Sequence, residues 1–385
     1  MTELDASTSA TTIPENRVSR AKRQRLIDFD ILAPLTILGV LISALAIVIA
    51  FAANQSNGPA AAAAPNAAAA GDSATAGGYG GGENTAPTTR VTEEKPDFTA
   101  KTYDPVTKPV KAGPKTFELT ATEKNIKVGA KTYKMWTFNN TVPGPVLRAV
   151  VGDKITIKIT NASDSKLPHS VDYHASRLTL GGGHVQVAPG KSGTFEFTAE
   201  YPGVFMYHCA TAPVLHHIGM GMYGMLIVQP KEGFGPKMPE YAITQSELYA
   251  SSKDIDENRP DSMAFNGVPS QYAAKPLRLP ADSNVRMFVM NAGPSEVSSF
   301  HVVGTVFDRV FEDGNPRNVS FGRQALGIPA SGSGVFEMQL KGEGQFPFVT
   351  HQFNHAAKGA VGMMISGDGK PGPGGVEDAG ANGHH

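Results

Sequence analysis

The sequence predicts an all-β protein: two tandem Greek-key β-sandwich domains, preceded by one N-terminal transmembrane helix and a disordered linker. Three observations carry that expectation. Short runs alternate apolar and polar residues, as Ile155, Ile157 and Ile159 do with Thr156, Lys158 and Thr160, and as Phe195 and Phe197 do with Thr194, Glu196 and Thr198. The stretch Val335-Phe-Glu-Met-Gln-Leu reads as a similar alternating strand. Turn pairs such as Pro189-Gly190 and Pro202-Gly203 separate the runs, in a chain of 385 residues with 42 Gly and 28 Pro. No amphipathic helical period of useful length appears between residues 100 and 366.

In chain order, residues 1–30 are polar and carry Arg17, Arg20, Lys22, Arg23 and Arg25. Residues 31–53 follow without a charge, dominated by Leu, Ile, Val and Ala. As a helix they would be about 35 Å long, enough to cross a hydrocarbon core of roughly 30 Å. The basic flank places the N-terminus in the cytoplasm and the rest on the extracytoplasmic side of the cell membrane, as a single-pass protein. Ala50-Phe51-Ala52 resembles a signal-peptidase site, so a cleaved leader is the alternative; a 30-residue polar leader and so long an apolar core both favour an anchor. Residues 54–99, rich in Ala, Gly and Pro, lack the apolar side chains to offset their ordering entropy and read as a flexible tether. Residues 100–235 and 236–366 form the two β domains, and residues 367–385 a disordered tail.

The two domains echo each other. Phe138-Asn139-Asn140 has a counterpart in Phe265-Asn266-Gly267, Phe205-Met-Tyr207 in Phe346-Pro-Phe348, and Gly221-Met-Tyr-Gly224-Met225 in Gly359-Ala-Val-Gly362-Met363. A duplicated unit with a seam between about 230 and 245 follows from these pairs.

Composition narrows the chemistry. A formal net charge of −1 gives no electrostatic footprint for nucleic acid. A single Cys excludes internal disulfides, Cys-rich zinc modules and CxxC redox chemistry. Nine of the eleven His fall between His169 and His355. Around the lone thiol stand Tyr207-His208-Cys209-Ala210, then His217 and Met222, with His169 upstream. Two imidazoles, a thiolate and a weak axial thioether are the donor set of a type 1 copper centre, and the sulfur donors select copper over hard cations. Neighbours on a strand point to opposite faces, so His208 and Cys209 would serve separate sites joined by a short covalent route.

His169-Ser-Val-Asp172-Tyr-His174, the Gly181–Gly183 run, Pro202-Gly-Val-Phe-Met-Tyr-His-Cys-Ala210 and the His217-to-Met222 loop resemble the copper-containing nitrite reductases, a family built from two cupredoxin domains. Trp136-Thr-Phe-Asn139, Val142-Pro-Gly-Pro145, Phe300-His-Val-Val-Gly304 and Val349-Thr-His351 fit the same pattern, and the likeness covers about residues 115–366. It implies that His169, Cys209, His217 and Met222 hold type 1 copper and that His174, His208 and His351 hold a catalytic type 2 copper. It further implies Asp172 and His301 as the proton-donating pair, with Val303 as the aliphatic side chain over the metal. Nitrite as substrate, a small cytochrome c or cupredoxin as electron donor, and a homotrimer with the type 2 site between subunits are implied in the same way. The loop from Cys209 to His217 is one residue shorter than in well-known members, so His216 competes with His217 and Met220 with Met222. His184 and His355 have no role in the pattern. Two other readings stand beside this one: a two-domain multicopper oxidase, and a non-catalytic type 1 electron carrier. The first needs His-x-His pairs, which the chain lacks. The second leaves His174, Asp172, His301 and His351 without a purpose.

Overall fold

The computed structural model describes residues 103–128, 131–178 and 186–369, which belong to one compact unit, Thr89–His385. The expected helix at 31–53, the linker at 54–99, the tail beyond 369, the Gly181–Gly183 run and His184 lie outside the described residues. Among the described residues no helix is long and apolar enough to cross a membrane.

The architecture is all-β. The first half runs β1 (Lys115–Val128), β2 (Lys131–Phe138), β3 (Leu147–Val150), β4 (Lys154–Asn161), β5 (Asp172–Tyr173), β6 (Ser192–Thr198), β7 (Gly203–His208), α1 (Val214–Gly219) and β8 (Tyr223–Gln229). The second half runs β9 (Glu240–Leu248), α2 (Ser252–Asp256), β10 (Ser262–Phe265), α3 (Gln271–Ala274), β11 (Lys275–Leu279), β12 (Asn284–Gly293) and β13 (Ser298–Val302). It continues with β14 (Phe307–Glu312), β15 (Val319–Arg323), β16 (Ala325–Ile328), β17 (Ser333–Gln339), β18 (Gly344–Thr350), α4 (Phe353–Ala357) and β19 (Val361–Ser366). The helices are single turns or little more.

The strands form four sheets: β2-β1-β4-β6, β3-β8-β7-β5, β10-β9-β12-β17-β14-β15 and β11-β19-β18-β13-β16. The first two enclose one core, including Ile155, Ile157, Phe195, Tyr207 and Cys209. The last two enclose another, including Phe300, Phe336, Phe348 and Met364. A third cluster joins the two sandwiches face to face, Met206, Tyr223, Met225 and Ile227 meeting Phe288, Met290, Phe311 and Val335.

That stacking explains the burial patterns. Outer-sheet strands such as β4 keep the alternation of one wetted face, whereas β8 and β9 are buried at every residue. Strand β17, expected to alternate, is also buried from Ser333 to Met338, because its sheet packs on both faces. A chain of buried charges crosses the same junction, Arg148 to Glu240 (2.6 Å) and Arg286 to both Glu240 (2.7 Å) and Glu337 (2.6 Å), and the half-buried Arg309 extends it from Glu337.

The echo in the sequence has a physical meaning. Asn139 and Asn140 both take positive φ (57° and 61°), as do Asn266 and Gly267 (53° and 79°), so each half makes the same tight left-handed turn just after its second strand, closed by the bridges Phe138–Thr141 and Phe265–Val268. The Gly-x-x-Gly repeats also match. Gly224 lies opposite Tyr207 and Gly362 opposite Phe348, and a Cβ at either glycine would fall 2.2 or 2.1 Å from the facing ring. Each aromatic ring lies over a position that only glycine leaves open.

Candidate metal centres

The first site is built at the end of β7. Cys209 follows that strand, its N–H bonded to Met222 O (3.0 Å), and the chain then forms α1, which carries His217 back beneath it. Met222 N–H in turn donates to His217 O (3.0 Å). His169 is pinned on the opposite side by a reciprocal backbone pair with Val187 (3.0 and 2.7 Å). The donor atoms of His169, Cys209 and His217 all lie within 4.8 Å of one another, with Cys209 Sγ 3.1 Å from His217 Nδ1 and the two Nδ1 atoms 3.3 Å apart. Metal–imidazole and metal–thiolate bonds of about 2.0–2.3 Å separate the donors of a four-coordinate site by about 3.3–3.8 Å, and the 3.1 and 3.3 Å spacings here come within a few tenths of an ångström of that, so the set fits a metal ion. All three residues and Met222 are buried.

The electrostatics suit ligation. Burial, and then the neighbouring His169 and His216, hold His217 down at about 4, and burial also lowers His169 despite the opposing effect of Glu123. Both rings are therefore neutral near pH 7, with a lone pair to offer. Ser170 N–H points at Cys209 Sγ (3.4 Å). The Ser170 hydroxyl accepts from Ala210 N–H and Thr211 Oγ1 (3.1 Å each) and stands 3.9 Å from Sγ, which leaves its own proton to face the sulfur. Trp136 stacks obliquely against His217 and edge-on to His169, at centroid distances of 4.6 and 5.8 Å.

The competing histidine sits elsewhere. His216 turns out of α1 and pairs with Asp256 Oδ1 at 2.7 Å. Met220 and Met222 are both buried in the same core, and Met220 is tied through its carbonyl to Trp136 N–H.

The second site lies on the other face of β7. Asp172, His174 and His208 bring donor atoms within 4.8 Å of one another. The antiparallel pairing of β5 with β7 sets Asp172 opposite His208. His208 Nδ1 donates to Cys209 O (2.9 Å), which directs Nε2 toward His174 Nε2 (3.1 Å) and Asp172 Oδ2 (3.8 Å). Two imidazole nitrogens facing each other this closely, beside a carboxylate, suit a cation between them.

His301 and His351 gather separately in the second sandwich. Their rings meet edge to face at 5.5 Å, on β13 and just beyond β18. His301 Nδ1 donates to Gln324 O (2.5 Å). His351 is exposed and packs against Phe353 (4.7 Å), itself 54% exposed. Val303 is 45% exposed, its N–H on Pro347 O (2.8 Å). Among the described residues, the donor group around His174 and His208 includes no side chain of the second sandwich. His355 is buried on α4, its Nε2 3.5 Å from Glu296.

Ser170, Glu123 and the placement of Trp136 over the imidazoles were not singled out as site features by sequence reasoning. Ser170 follows His169 directly and was within reach of it; Glu123 meets His169 only through the fold.

A family model described as multicopper oxidase matches residues 120–233. Over 258 residues the chain is 38% identical to a copper-containing nitrite reductase of Neisseria gonorrhoeae, covering 63% of this chain and 66% of the length of that protein. Among solved structures, a copper nitrite reductase of Nitrosomonas europaea is 34% identical with a TM-score of 0.63, covering 66% of this chain and 94% of that one. A copper-containing nitrite reductase of Thermus scotoductus is 32% identical with a TM-score of 0.62, covering 66% of this chain and 62% of that one.

Proposed function

The chain belongs to the copper-containing nitrite reductase family, and from that premise we propose that it reduces nitrite to nitric oxide. The observation that carries the proposal is the pair His208-Cys209, one peptide whose two side chains each join a separate donor cluster. We assign type 1 copper to His169, Cys209, His217 and Met222, and type 2 copper to His174, His208 and His351. When bound, copper supplies a one-electron redox couple and a Lewis-acid position for a nitrite oxygen.

The chain's own residues do the rest. Nitrite, one electron and two protons give nitric oxide and water, so proton donors must stand beside the substrate. Asp172, its carboxyl oxygen 3.8 Å from His208 Nε2, is placed to relay one of the two protons. His301 offers the second from Nε2, because its Nδ1 is committed to Gln324 O. Val303, close after His301 on the second sandwich, is the aliphatic side chain that a neighbouring subunit would bring over the position. The single backbone link between Cys209 and His208 is the electron route.

His351 lies apart from His174 and His208 within one chain, which supports a homotrimer in which a neighbouring subunit's His351 and His301 complete the type 2 site. The charge-free run at 31–53 supports a single-pass anchor with the catalytic domains on the extracytoplasmic side. A small cytochrome c or cupredoxin is the proposed electron donor.

His351→Ala is the direct test. It abolishes nitrite turnover while the colour of the thiolate–copper site remains; loss of colour instead would show the ligand sets to be misassigned. The family-model match makes an oxidase the second reading. Nitrite-independent oxygen uptake with about four copper ions per chain would favour it.

A further inference from the structure

Glu123 is a carboxylate that neither ligand set uses. It lies in the middle of β1, directly opposite Trp136 in the β1–β2 register, so the two side chains share a face against the type 1 cluster. It is 12% exposed, and its Oε1 accepts from two successive backbone N–H groups, those of Lys166 (2.7 Å) and Leu167 (3.0 Å). Those contacts hold the carboxylate at the foot of the loop that ends in His169.

His169 presents its other edge to this oxygen. Nδ1 faces His217 and Cys209, while Nε2 is fully buried without a hydrogen-bond partner and stands 3.7 Å from Glu123 Oε1. A ring that offers its Nδ1 lone pair to a metal carries its proton on Nε2. That proton is thus buried, directed toward a pre-positioned negative charge and unclaimed by any other group. The separation is longer than a hydrogen bond but within ion-pair reach.

We propose that Glu123 is a positioning residue for type 1 copper, forming a carboxylate–His169–copper triad that selectively stabilises the oxidised, more highly charged metal. The inference rests on the assignment of His169 to type 1 copper. A carboxylate behind a ligating imidazole fixes its tautomer and orientation and raises its basicity. The effect is larger for Cu(II) than for Cu(I), so the carboxylate lowers the reduction potential and sets how readily the site accepts an electron.

The test is Glu123→Gln, which keeps an oxygen for the Lys166 and Leu167 N–H groups and removes only the charge. In the full chain, Cu(II) affinity falls about 10–100-fold, as for other partners of metal-bound histidines. Cu(I) affinity changes much less, so the potential rises; each tenfold of differential affinity corresponds to about 59 mV for one electron. Glu123→Asp, with the charge restored on a shorter arm, falls between the two. An unchanged potential with the thiolate–copper band intact overturns the proposal. So does loss of the band in a folded Glu123→Gln protein, which would make the carboxylate a support for the loop. If the unsubstituted protein has no such band, the ligand assignment itself has failed, and the two failures are distinguishable.

Discussion

Gly224→Ala is predicted to destabilise the protein and disturb the first metal site together. The added Cβ would lie 2.2 Å from Tyr207 Cζ and 2.3 Å from its Oη. The ring has nowhere to go. It is fully buried, stacked on Tyr173 at 5.2 Å, and its hydroxyl donates to Pro145 O (2.7 Å). Overpacking of this kind costs about 1–3 kcal/mol. Displacing the hydroxyl leaves a buried donor and acceptor unpaired, at about 1–3 kcal/mol more. The expected loss is about 2–6 kcal/mol, read as a lowered urea midpoint. Gly362→Ala is the internal comparison, because its Cβ would meet Phe348 at 2.1 Å but break no hydroxyl contact. It is expected to cost about 1–3 kcal/mol. Since Tyr207 immediately precedes His208 and Cys209, only the Gly224 variant should also weaken the thiolate–copper band. A Gly224→Ala protein within about 0.5 kcal/mol of the parent would refute the packing argument.

Arg286→Met leaves Glu240 and Glu337 buried with one partner fewer each, and should cost about 3–5 kcal/mol in denaturant unfolding. His217 titrates near 4 in the folded protein against about 6.5 in the unfolded chain, so the unfolded state binds the extra proton between those values. The metal-free protein should therefore lose about 3 kcal/mol as pH falls from 6.5 to 4, at 1.36 kcal/mol per pH unit, and His217→Gln should show a smaller loss over the same range. His216→Ala should leave the thiolate–copper band intact and stability within about 0.5 kcal/mol, because its Asp256 pair lies at the surface. A bleached His216→Ala protein would instead make His216 the ligand.

Much of the fold was legible locally. Alternation marked β4 and β6, and the Gly-x-x-Gly-Met repeats marked two aromatic–glycine contacts that recur in register. The lone Cys and its flanking His pointed to both donor clusters, because the side chains of successive residues at the extended end of β7 face opposite sides. Other features depend on which sheets stack. Strand β17 resembled a one-faced strand in isolation and is buried because a second sandwich packs behind it. The Arg148–Glu240–Arg286–Glu337 chain joins residues tens of positions apart, with no spacing that announces it. Glu123 was illegible for the same reason, since its approach to His169 depends on the β1–β2 register and on the loop beyond β4.

The most direct test of the central claim is copper content measured alongside nitric oxide formation from nitrite with a reduced donor. The account predicts about two copper ions per chain, one of them strongly coloured through its thiolate, and nitrite-dependent nitric oxide. A protein that binds only the coloured copper, or consumes oxygen without nitrite and forms no nitric oxide, would contradict it.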